Sequence, residues 1–201
     1  MSKPIEFYFD FSSPYAYFAA QKIDDVAMEF GNRDVEWKPF LLGVAMKITK
    51  NEPLAHQPIK GDYSEQDWDR LARFMKVPWQ MPGKFPIASL APARAYYFIY
   101  DMDKDVAKTF ARACFNAYFS ENRDITNKQT VCEIGMELGI DSNELSAALQ
   151  DNALKERLKD ETYAAVQAGV FGSPFFIVDD EKFWGSDRIW MIKRWLKTGG
   201  W

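Results

Sequence analysis

Cysteine and histidine are scarce: 201 residues hold only Cys114, Cys132 and His56 of these types. The two cysteines form no CxxC pair and, with a single histidine, no metal-ligand pattern. Neither a disulfide framework nor a metal site is expected, and both thiols read as small buried hydrophobes in helical segments. Positive charge is not in excess, with Lys plus Arg at 25 against 29 Asp plus Glu and a net charge of −4. That balance lacks the electrostatic footprint of a nucleic-acid binder. Long apolar runs are missing too. The amino end, MSKPIEFYFDF, already meets Glu6 and Asp10, so neither a secretory signal nor a membrane span is expected, and the cytoplasm is the expected compartment. A glycine-rich phosphate loop is absent, which argues against a nucleotide cofactor.

What is present is apolar and aromatic. Hydrophobic residues make up 47% and aromatics 16%, enough for a core in one large domain or one domain with an insertion. Ile5, Phe7, Phe9 and Phe11 alternate with Glu6, Tyr8 and Asp10, the period of a strand with one buried face. Ser13 followed by Pro14 then supplies a favoured cap and a favoured first helical residue. Apolar positions from Tyr15 to Phe30 recur at helical spacing until Gly31, and residues 34–40 alternate again. This is a strand–helix–strand unit with parallel strands. Residues 41–63 read as loop, a helix is expected from Ser64 to Met75, and nearly everything from Ile87 to about Gly169 reads as helix. Thr126 and Asp141 are expected to open two of those helices. Residues 174–185 form a hairpin around an acidic turn, and Asp187 can cap a last helix. Residues 1–44 and 170–201 therefore build one α/β layer with 45–169 as a helical insertion. That order, βαβ…ββα, is the layout of a thioredoxin-like domain with a large all-helical insertion.

Three loops of that layout carry polar groups suited to a site. At the first strand–helix junction, DFSSPY places Ser13 where redox relatives of the fold keep a cysteine, at the positive end of a helix. Alone, Ser13 reads as a helix cap; its hydroxyl also suits hydrogen bonding to a thiolate that a cofactor brings in. The loop GVFGSPF puts Pro174 just before a strand, either an ordinary turn proline or the cis-proline of thioredoxin-like proteins. Trp184-Gly185-Ser186-Asp187 joins the hairpin to the last helix, with Asp187 either a cap or a partner for an ammonium group.

Taken together, the stretches FYFDFSSPYAYF, PFLLGVAMK, FPIASLAPARA and GVFGSPFFIVDDEKFWGSDR resemble the 2-hydroxychromene-2-carboxylate isomerases and their relatives, the kappa-class glutathione transferases. The resemblance implies glutathione as cofactor, a small aromatic substrate and a homodimer. It implies cis–trans isomerisation of a hydroxychromene carboxylate to a hydroxybenzylidenepyruvate, a step in the breakdown of naphthalene-like aromatics, or alternatively transfer of glutathione to electrophiles. It implies that Ser13 contacts the glutathione sulfur and that the Ser173 backbone pairs with the cysteinyl part. Trp184, Gly185, Ser186 and Asp187 match the stretch that holds the γ-glutamyl end, and Lys47 matches a substrate-binding lysine. An Asn-Arg pair of the family falls near His56 and Gln57, and a pocket tyrosine falls at Phe85, where the hydroxyl is lost.

Overall fold

The computed structural model describes residues 3–201. Its elements run β1 (Ile5–Phe9), α1 (Pro14–Ala20), α2 (Ile23–Gly31), β2 (Val35–Pro39), α3 (Leu42–Thr49), α4 (Lys60–Met75), α5 (Leu90–Met102), α6 (Lys104–Phe119), α7 (Lys128–Glu137), α8 (Ser142–Ala148), α9 (Asn152–Gln167), β3 (Phe175–Val178), β4 (Glu181–Trp184) and α10 (Ile189–Thr198). One sheet orders its strands β2-β1-β3-β4, with β1 and β2 parallel and the pairs β1/β3 and β3/β4 antiparallel. This is the thioredoxin-like arrangement, and the helices α3–α9 enter between β2 and β3.

Burial explains the layering. Phe7, Phe9, Trp37 and Phe176 project from one sheet face, where Phe9 packs against Tyr96 of α5 and Phe115 of α6 at 5.9 and 5.6 Å between ring centres. The other face is covered as well: Tyr8 and Phe175 cluster with Phe40, Ala165 and Val170. Tyr8 and Asp10 are each 5% exposed, so β1 and its extension are buried on both faces, not on one. The edge strand β2 is closed off by α5, whose Tyr96 and Tyr97 hydroxyls donate to the Trp37 and Pro39 carbonyls at 2.9 and 2.7 Å. The hairpin turns on Asp179 and Asp180, both at positive φ, as a two-residue connection demands.

Several local expectations are corrected. Residues 41–63 are not loop: α3 occupies Leu42–Thr49, a short 3-10 turn spans Leu54–His56, and α4 begins at Lys60. The single helix expected after Ser13 is two, α1 and α2, because the chain breaks at Gln21 and Lys22. Asn127, not Thr126, caps α7, its side chain accepting from the Gln129 amide, while the Thr126 amide is held by Asp124. Asp141 caps α8 as its sequence context indicates.

Candidate functional site

Ser13 and Ser173 lie far apart in sequence and are joined directly. Ser13 has extended backbone angles, caps α1 by accepting from the Ala16 amide at 3.2 Å, and is followed by Pro14 as first helical residue. The same hydroxyl donates to the Ser173 carbonyl at 2.8 Å. The Ser173 side chain accepts from the Asp10 amide at 2.9 Å, and the Ser173–Pro174 peptide is cis. Ser13 and Ser173 are 5% and 8% exposed, so this junction is almost wholly buried.

The third loop reaches the same place. Gly185 donates its amide to the Pro174 carbonyl at 3.1 Å and has φ +107°, a conformation that favours glycine. Trp184 lies edge-on to Phe171 at 4.9 Å, and its indole rests so close to Gly172 that any Cβ there would overlap it. Ser186–Arg188 form one 3-10 turn that touches α1. Asp187 does not cap α10; its exposed carboxylate pairs with Arg188 at 3.1 Å, and Arg188 holds the cap position. All six residues expected to hold a tripeptide lie on three loops, the second of which is hydrogen-bonded to both the first and the third.

The expected substrate residues are less tightly gathered. Lys47 is exposed on α3, and its side chain makes no hydrogen bond or ion pair among the described residues. Phe85 is half-buried and meets Trp68 of α4 edge-on at 5.4 Å. Its segment is tied to the first loop, since the Ile87 amide donates to Ser12 Oγ at 3.0 Å. Trp68 also packs against Tyr15 at 6.1 Å and Trp79 at 6.2 Å, giving an aromatic wall two residues beyond Ser13. The Trp68 indole N–H is buried with no partner among the described residues. The Tyr15 hydroxyl donates to Asp67 at 2.9 Å, and burial, then this partner, raise its pKa. His56, exposed at the end of the 3-10 turn, is not bonded to any of these groups.

Sequence reasoning missed Asp10. Its carboxylate accepts from the Ser12 amide, the Leu42 amide and the Ser89 hydroxyl, each at 2.8 Å. Burial pushes its pKa above the ordinary aspartate value, while those three donors pull it back. Nothing in the alternation of β1 marks this residue, because a buried polar side chain there looks like one on an exposed face.

With this geometry in view, the family is decided by its extent of match: the model of the DSBA-like thioredoxin domain covers residues 4–197. The chain belongs to that family. Within it, the chain is 28% identical over 198 residues to the 2-hydroxychromene-2-carboxylate isomerase of Sphingobium xenophagum, covering 98% of this chain and 99% of the relative. It is 26% identical over 199 residues to glutathione S-transferase kappa 1 of Caenorhabditis elegans, covering 94% and 88%. The solved structure of a 2-hydroxychromene-2-carboxylate isomerase superposes with a TM-score of 0.86 at 26% identity, covering 94% of this chain and 92% of that one. These DSBA-like relatives are enzymes, which makes catalysis the class of function to consider for the three-loop site.

Proposed function

We propose that this DSBA-like chain is a glutathione-dependent cis–trans isomerase that converts a 2-hydroxychromene-2-carboxylate to the trans-hydroxybenzylidenepyruvate in aromatic catabolism. The observation that carries the reading is the Ser13 hydroxyl, which caps α1 while donating to the Ser173 carbonyl. The residues suit the tripeptide on this ground. A carbonyl has two lone pairs, so Ser173 can accept a cysteinyl N–H beside or in place of the Ser13 hydroxyl. Ser13 is then free to turn its proton to a sulfur anion, with the α1 N-terminus adding its positive end. Trp184 to Asp187 would hold the γ-glutamyl part, Asp187 offering its carboxylate to the ammonium group. The chemistry glutathione supplies when bound is a thiolate that adds reversibly to the conjugated substrate, so that a double bond turns as a single one and the thiol is regenerated.

This chain's own residues then orient the partner molecule. Tyr15, Trp79 and Phe85, half-buried and packed on the buried Trp68, would offer an apolar face to an aromatic ring. Lys47, uncommitted to any other partner, would meet the carboxylate or offset charge that develops as the ring opens. His56 is proposed only as a rim residue of that pocket. An ultraviolet assay of a chromene carboxylate with and without glutathione tests the reading: glutathione-dependent conversion supports it, and no conversion in either case overturns it.

A second reading is a transferase that releases the glutathione adduct. The kappa-class relative favours it, and so does the missing hydroxyl at Phe85, which removes one polar contact to an isomerase substrate. Thiol titration during turnover separates the two, because only the transferase consumes glutathione. We take the working unit to be a cytoplasmic homodimer, the sheet layer being 1–44 with 170–201 and the insertion 45–169. Exposed Ile48, Ile59, Tyr63 and Phe74 on and around α3 and α4 offer apolar surface for a second copy. Light scattering on the purified chain gives its mass in solution directly.

A further inference from the structure

Asp10 stands where four chain segments cross. Its carboxylate Oδ1 accepts from the Ser12 amide and the Ser89 hydroxyl, while Oδ2 accepts from the Leu42 amide, all at 2.8 Å. Its backbone amide donates to Ser173 Oγ and its carbonyl accepts from the Ser13 amide, both at 2.9 Å. The donors on the carboxylate are all neutral, and the residue is 5% exposed. Burying a charge against neutral groups is costly, so a plain linker would be better served by an amide. An amide cannot do this job, however. It accepts on one side only, whereas donors here approach both oxygens.

The two oxygens divide the work. Oδ1 holds the Ser12 turn and the start of α5. Oδ2 holds Leu42, the first residue of α3, where the positive end of that helix faces the carboxylate. The helix α3 carries Lys47 little more than one turn further on.

We infer that Asp10 is a positioning residue of the site: through Oδ2 it ties the start of α3, the helix that carries Lys47, to the segment that also bonds Ser13 and Ser173. The role of Lys47 toward a carboxylate substrate rests on the isomerase reading; the tie between Asp10 and α3 does not.

Asp10→Asn in the full chain tests both parts. With its oxygen toward Ser12 and Ser89, the amide keeps those two bonds and turns an NH2 group on the Leu42 N–H. Hydrogen exchange followed by NMR needs no ligand: the Leu42 amide should exchange at least about 10-fold faster in the variant while Ser12 keeps its protection. Unchanged Leu42 protection would overturn the tie. In the isomerase assay, KM for the chromene acid should rise about 10-fold with the glutathione Kd within about 3-fold, and the loss should largely vanish in a Lys47→Met background. Additive losses would overturn the positioning role, leaving Asp10 merely structural. If the wild-type chain neither binds glutathione nor turns over, the functional reading fails, and the exchange result still decides the tie. Should Asp10→Asn not fold, the wild-type protein answers instead. On acidification the Ser12 and Leu42 amide resonances should shift together with one midpoint, and independent shifts would overturn the tie.

Discussion

Replacing Ser13 with alanine removes one hydroxyl that does two things in the folded protein and a third in the proposed complex. In the resting chain it donates to the buried Ser173 carbonyl at 2.8 Å and accepts from the Ala16 amide at 3.2 Å. Losing a serine cap costs about 0.5–2 kcal/mol, so a fall of a few degrees in Tm is expected, with the fold retained. The catalytic loss is set by a difference. A hydrogen bond to a charged group contributes about 1.5–3 kcal/mol, whereas the neutral bond that Ser13 must give up contributes about 0.5–1.5. Taken alone, the first figure gives a loss of about 10- to 150-fold. Because the hydroxyl already has a partner, the mid-range difference is about 1.25 kcal/mol, which is roughly an 8-fold loss in kcat/KM. The assay is steady-state turnover of the chromene acid at saturating glutathione, with a melting curve run on the same sample. Ser13→Cys should fall between wild type and alanine, since a thiol still donates weakly. A folded alanine variant with unchanged turnover would remove Ser13 from the mechanism.

Three further outcomes follow from the packing and the charges. Gly172→Ala drives a Cβ into the Trp184 indole, an overpacking that costs about 1–3 kcal/mol; calorimetry should find weaker glutathione binding, and unchanged affinity would free Trp184 from the site. The Asp179 pKa is lowered, chiefly by its bond to Arg33 and also by Trp195. A depressed folded pKa contributes stability above the ordinary aspartate range and loses it as pH falls through the lowered value, so Asp179→Asn should be less stable than wild type at pH 7, with the gap closing below about pH 4 in urea melts. Cys114 and Cys132 are buried, and burial pushes both thiols up. A thiol reagent should therefore label neither in the native protein and both after denaturation, and native labelling would contradict their packing.

Much of the fold is legible where periodicity and punctuation agree. The alternation of Ile5, Phe7 and Phe9 gives β1, Ser13 with Pro14 gives the start of α1, and the paired aspartates give the β3–β4 turn. The helix α3 is not legible. Gly43, Val44, Ile48 and Thr49 are weak helix formers, and the helix is held at its start by a remote carboxylate that the local sequence does not reveal. The proposed site follows the same division. Ser13, Ser173 and the Trp184–Asp187 stretch are readable from their turn chemistry and the family resemblance. Asp10 and Ser89 are not, because their importance lies in burial and in partners contributed by other segments. Asp187 misleads for a related reason: it has the right residue type for a cap, yet a 3-10 turn intervenes before α10.

The proposed mechanism requires a sulfur anion favoured at the start of α1. The most direct test is the ultraviolet absorbance of the thiolate in bound glutathione, followed against pH with the wild-type protein. A midpoint at least about one unit below the ~8.5 of a free thiol is expected. A midpoint at or above the free value would contradict that mechanism.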